Sequence, residues 1–247
     1  MSEIFIKDIV NDRKDKPAIV LAHGPSLNGV ADKLPDLKEA YTLFGCNNWY
    51  TFYNCEPHYW VLASGADTVE SHLDRIKLGK SALFFCDVAD FEGRKHAKTL
   101  ESKYLCFDER HPNGSRCKGK NKSCCEHIIP GRLTVQEELQ RFCKFDRKFF
   151  GGYTVAMYML SFAVLMGCNP IYVAGMEMNY GLGYARELSG NVQNFGENQE
   201  TAWHRGWDEI LDDFNIINDS AKSVGVSIID LSTQSKINIF QKGELPL

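Results

Sequence analysis

Short apolar runs that each stop at a glycine-bearing or polar turn recur along this chain, and they point it toward folds built on a buried parallel sheet. Ala18–Ala22 runs unbroken into His23-Gly24-Pro25-Ser26. Tyr41–Gly45 stops at Cys46-Asn47-Asn48, His58–Ala63 at Ser64-Gly65-Ala66-Asp67, and Ala82–Cys86 at Asp87. Lys103–Cys106, Ile171–Ala174 and Val226–Ile229 complete the set. Unbroken hydrophobicity over so few residues, rather than alternation, is the pattern of strands covered on both faces.

Helical stretches lie between these runs. Helices are expected over residues 69–78, over 153–166 and over 201–223. Gly167 and Asn169-Pro170 stop the second, as a C-terminal glycine with a following proline should. The third carries Ile210, Leu211, Phe214, Ile217, Ala221 and Val224 on one expected buried face. With 247 residues, 44% of them hydrophobic, the chain can bury one substantial core. The expected fold is therefore a single three-layer Rossmann-like α/β domain over 1–247, with a mostly parallel sheet. Residues 108–150 form a Cys-rich excursion from it.

Charge and hydropathy exclude some functions. A net charge of −4 gives no basic field for wrapping nucleic acid. No apolar run reaches the ~20 residues of a membrane span, and the polar start from Met1 to Lys16 does not read as a secretion signal. The expected location is the cytoplasm, with the nine cysteines mainly reduced. His111, Cys117, Cys124, Cys125 and His127 are enough donors for a zinc ion, but they contain no Cys-x-x-Cys, and Lys118, Lys120 and Lys122 oppose a cation. No metal is expected there. The oligomeric state is not legible.

In an open parallel sheet the ligand sits beyond the carboxyl ends of the strands, so the polar turns above should gather on one rim. Gly24 lets the backbone turn and come close to a ligand, Pro25 fixes the turn, and Ser26 offers a hydroxyl. Asn47 and Asn48 can read a base or ribose, or simply cap a turn. Ser64 and Glu177 follow two further strands. Gly151-Gly152-Tyr153-Thr154 opens a helix whose N–H groups and dipole favour an anion, although Thr154 alone explains a helix start. The P-loop lysine is missing. His204, before the long helix, and His23, beside the glycine turn, have the pKa range of a general base, but a lone histidine is more often structural.

At these residues the sequence resembles known proteins. The segments AIVLAHGPSL, FGCNNWY, GGYTVAMYMLSFAVLMGCNPIYVAGMEMNY and IDLSTQSKINIF are similar, in order and spacing, to two related groups. One comprises the motility-accessory-factor proteins and the archaeal 6-hydroxymethylpterin diphosphokinases. The other is the bacterial CMP-sialic-acid sialyltransferases of glycosyltransferase family 42. The second resemblance implies inverting transfer from a CMP-sugar with no cofactor required. It places Asn47 on the nucleotide, and His23-Gly24-Pro25-Ser26 looks like the family's Asn-Gly-Pro-Ser loop, with His23 in place of asparagine. Tyr180 and Tyr184 resemble the pair that holds the leaving phosphate, at a shorter spacing, and His204 resembles the base. Ser232 and Ser235, in the last segment, join the nucleotide-contact candidates. The diphosphokinase resemblance instead implies magnesium held by carboxylates, for which Asp67 and Glu177 are the acids present. A nucleotide-binding domain without chemistry is the third expectation.

Overall fold

The computed structural model describes residues 4, 6–47, 49, 55–62, 79–86, 104–107, 154–178 and 207–246. A short helix α1 (Ile6–Ile9) leads into strand β1 (Ala18–Leu21). Two 3-10 turns (Pro25–Gly29 and Ala31–Lys33) and helix α2 (Leu34–Ala40) connect it to β2 (Thr42–Cys46). Strands β3 (Tyr59–Leu62), β4 (Ala82–Cys86) and β5 (Tyr104–Phe107) follow. Helix α3 (Val155–Leu165), β6 (Ile171–Ala174), helix α4 (Trp207–Ser223), β7 (Ile228–Asp230) and the two-residue β8 (Gln241–Lys242) complete the described chain.

These strands form one sheet in the order β5-β4-β3-β2-β1-β6-β7-β8, and every adjacent pair is parallel. The chain steps outward from β1 to β5 and then returns to the other side of β1 with β6. The strand order therefore reverses between β1 and β6, a switch point outside whose carboxyl strand ends the crevice of an open parallel sheet lies.

Strand alternation divides the core into two layers. Ala18, Val20, Phe44, Tyr59, Val61, Phe84, Ile171 and Val173 point toward α3 and α4. Ile19, Leu21, Leu43, Trp60, Leu62, Leu83, Tyr172 and Ala174 point toward the side of α2, where Leu27, Val30, Leu34 and Leu37 meet them. A chain of ring contacts, stacked from Phe44 to Tyr59 (5.0 Å) and tilted from there to Phe84 (5.3 Å) and Phe162 (4.6 Å), ties three strands to α3. The helix is apolar all round and buried from Ala156 to Leu165, because it lies between the sheet and α4.

α3 also runs in a known direction. Its last carbonyls accept from the segment just before β1, Leu165 O from Asn11 N (3.1 Å) and Met166 O from Arg13 N (2.9 Å). Its C-terminus thus lies at the amino edge of the sheet. About 16 Å of helix carries Thr154 back toward the opposite rim, where the strands end.

Several expectations differ from the structure in detail. Val224 lies outside the buried face and is exposed, because it sits in the turn that ends α4; Leu211 is half-buried. The last long strand is shifted to Ile228–Asp230, since Val226 closes the α4 cap by donating to Ala221 O (2.9 Å). Trp49 and Trp60 are core residues, 0% and 1% exposed. Among the described residues no helix is long and apolar enough to cross a membrane, and Cys46, Cys55 and Cys168 are free thiols. The cysteine and histidine cluster of the excursion lies outside the described residues, as do Trp203 and the expected helix over 69–78.

Candidate functional site

The crevice is built by the turns after β1 and β6, which hold each other. Gly24 N donates to Gly175 O (2.7 Å). Gly175 N donates to Ser26 Oγ (2.7 Å), and Ser26 N donates to Glu177 Oε1 (2.8 Å). These three bonds join residues about 150 positions apart and lock the two loops across the point where strand order reverses. Glu177 is 2% exposed, and its second oxygen, Oε2, is buried without a hydrogen-bond partner.

Both glycines are required by contact. Gly175 has φ +76°, and a Cβ there would stand 2.6 Å from the Ala22 carbonyl carbon. Gly24 has ordinary extended angles, φ −79° and ψ 168°. Its missing side chain makes room for Glu177: a Cβ would collide with Oε2 and approach Gly175 O to 2.7 Å. Beyond the close ligand approach expected of Gly24, the structure supplies a second reason for it in the carboxylate packed beneath it.

The donors of the first turn are already used. Besides Gly24 N and Ser26 N, Leu27 N donates to Gly24 O (3.1 Å), and Pro25 has no N–H. A phosphate at residues 24–27 would find no open backbone donor in this arrangement.

Neighbouring rim residues have defined places. His23 is half-buried, with Nε2 3.8 Å from Cys46 Sγ, whose thiol donates to Leu21 O (3.8 Å). Burial pushes the Cys46 thiol up to about 12, so it stays protonated. Asn47 ends β2 with φ +39°, in the left-handed region that asparagine tolerates. Its N donates to Val61 O (2.9 Å), and its O accepts from Trp60 Nε1 (2.9 Å). Both backbone groups of Asn47 are therefore engaged. Thr154 is the N-cap of α3 and accepts from Met157 N (3.4 Å), which is the role that explains it structurally.

Ser232 and Ser235 follow β7 on the same rim. Ser232 N donates to Asp230 Oδ1 (2.9 Å), and Ser232 Oγ accepts from Gln234 N (3.2 Å). Ser235 Oγ accepts from Ile237 N (3.0 Å). Both hydroxyls shape their own turn, and Lys236 N ties that turn to the crevice by donating to Glu177 O (2.9 Å). Asp230 is also engaged, accepting from Lys242 Nζ (2.6 Å).

His23, Gly24, Pro25, Ser26, Glu177 and Asn47 thus lie at the ends of β1, β6 and β2, three adjacent strands. Asn48, Ser64, Gly151, Gly152, Tyr180, Tyr184 and His204 lie outside the described residues. Sequence reasoning missed Gly175, although a glycine directly after an apolar run was the available signal.

A family model described as 6-hydroxymethylpterin diphosphokinase MptE-like matches residues 1–182. The chain belongs to the MptE-like family. The matched span contains both halves of the crevice, 24–26 and 175–177, so the interlocked turns are part of the MptE-like region itself. Ser232, Ser235 and His204 fall beyond it. No curated protein matches the sequence. Among solved structures, the chain is similar to the monofunctional α-2,3-sialyltransferase Cst-I from Campylobacter jejuni, at 16% identity and TM-score 0.43, covering 92% of this chain and 80% of that one. It is also similar to a Tyr-to-Phe variant of the sialyltransferase Cst-II in complex with CMP, at 14% identity and TM-score 0.42, covering 92% and 85%.

Proposed function

We propose that this MptE-like protein is a cytoplasmic nucleotide-dependent transferase that moves a sugar from a CMP-type nucleotide-sugar to an acceptor hydroxyl. The observation that carries the reading is the crevice at the β1/β6 reversal, with its turns fixed in advance by the Gly24–Gly175 and Ser26–Glu177 bonds. Turns at that place in a parallel sheet are where ligands bind, and His23–Ser26 and Asn47, from the motifs that resemble sialyltransferases, follow two of these adjacent strands.

In this reading the nucleoside lies in the crevice, read by Asn47 and Asn48 and flanked by His23 and Ser64. The phosphate faces the start of α3, which follows Gly151, Gly152 and Thr154 in the chain and whose dipole favours an anion. His204 takes the proton from the acceptor hydroxyl as its oxygen attacks the sugar's anomeric carbon. The bond from that carbon to the phosphate oxygen breaks with inversion, and the nucleotide leaves with its charge stabilised by Tyr180 and Tyr184. No metal is needed for these steps.

The family itself favours a second reading, transfer of a diphosphate from ATP assisted by magnesium. Magnesium is usually bound through one or two carboxylates together with substrate phosphates. Among the described residues there is no group of three metal-capable side chains. Asp230 is committed to Lys242 and Ser232, so Glu177 would need Asp67 beside it.

A thermal-shift panel with CMP, CDP, UDP, ATP and GDP, each with and without EDTA, separates the readings. Stabilisation by CMP that EDTA leaves unchanged is the expected result. Stabilisation by ATP alone, abolished by EDTA, would replace the first reading with the second. Under the first reading His204→Ala removes most turnover, roughly 100-fold or more, while CMP binding persists.

A further inference from the structure

We propose that the β1/β6 crevice receives the hydrogen-bond-donating end of the ligand, a ribose hydroxyl or an exocyclic amine, and that Glu177 is the acceptor that selects it. The inference rests on the nucleotide-binding reading above and gives the bound ligand a direction.

The polarity of the crevice decides it. From Gly24 to Leu27 every backbone N–H already has an acceptor, and Pro25 has none to give. Opposite them stands a carboxylate that is 2% exposed, with Oε1 occupied by Ser26 N and Oε2 unpartnered. An ionised carboxylate only accepts hydrogen bonds, and an unpartnered buried oxygen is costly until a donor meets it. A phosphate brought here would meet the carboxylate and no open backbone N–H from this turn. A hydroxyl or amine would satisfy the open oxygen.

Gly24 leaves the space in which Oε2 lies. With Ser26 N on Oε1 and Gly24 N on Gly175 O, both loops stay in place while a ligand donor meets Oε2. The nucleoside therefore enters the crevice first, and the phosphate end points away from Glu177.

Glu177→Gln tests the assignment, because it preserves shape and the acceptor for Ser26 N–H while converting the other atom into a donor. The expected result is an unliganded melting temperature equal to or above that of the wild type. The CMP dissociation constant should rise roughly tenfold or more, the loss of one charge-assisted hydrogen bond. Equal CMP affinity in the two proteins overturns the proposal and leaves the nucleotide reading standing. Absence of binding by the wild type to every nucleotide overturns both.

Ligand variants give a readout that does not depend on the mutant folding. Titrating the wild type with CMP, 2′,3′-dideoxy-CMP and UMP should show one analogue binding about tenfold more weakly, which identifies the donor as hydroxyl or amine. If both analogues bind as CMP does, no donor is being read and the proposal fails.

Discussion

At Gly175 the chain adopts a conformation that L-residues avoid, φ +76°, with the backbone of Ala22 crowding the place a Cβ would take. Gly175→Ala combines left-handed strain with a backbone collision that cannot relax through a side chain. It should cost roughly 2 kcal/mol or more, measured by urea denaturation. Asn47 is the opposite case. Its left-handed angle suits glycine equally well, so Asn47→Gly should change stability by only about 0.5 kcal/mol or less. If its amide contacts nucleotide, CMP affinity falls in the same variant; unchanged affinity would reduce Asn47 to a turn residue. The sequence marked both positions differently. Asn47 stood out as a polar residue after a strand, whereas Gly175 looked like the end of an apolar run, because its constraint comes from Ala22 on a strand far away in sequence.

The two long helices of the described chain end alike, and their ends provide a matched comparison. Gly167 N donates to Val164 O (3.0 Å) and Cys168 N to Ala163 O (3.0 Å); Gly225 N donates to Lys222 O (3.0 Å) and Val226 N to Ala221 O (2.9 Å). Each is a Schellman motif with a left-handed glycine, φ +74° and +75°. A Cβ on Gly225 meets nothing within 4 Å, but on Gly167 it would stand 3.1 Å from Lys14 Cα. Gly225→Ala should cost about 1 kcal/mol, the conformational term alone, and Gly167→Ala measurably more, by thermal or chemical unfolding. Helix α3 was legible because glycine and proline follow it. The segment 25–40 was not. Leu27, Val30, Leu34 and Leu37 keep a helical period, yet Pro25, Gly29 and Pro35 interrupt it. The turn of 3-10 helix at 25–29 and α2 both begin without a side-chain cap, and their only start signals, Pro25 and Pro35 in the first helical positions, read equally as turn residues.

Across the whole molecule, the deep core makes stability fall in alkaline solution. Burial raises the thiols of Cys46 and Cys168 from 9.0 to about 12 and the Tyr59 hydroxyl from 10.0 to about 12. Above the unfolded values the unfolded chain releases these protons before the folded one does, and the folded state is disfavoured. The contribution is intact below about pH 9 and is lost as pH rises toward 12. The urea midpoint should therefore drop between pH 8.5 and 10.5, roughly, with Cys46 and Cys168 resisting alkylation until the chain unfolds. The parallel sheet was legible from seven apolar runs, since burial on both faces leaves no room for polar alternation. The rim was legible as a set of turns. That the first turn spends its own donors was not, because its partners, Gly175 and Glu177, arrive only through the order of strands in the sheet. The same separation orders events during synthesis. A nascent chain halted before residue 171 already contains the segments of β1 to β5, but Ser26 has neither of its counterparts, and ligand present at that stage has no finished cleft to enter.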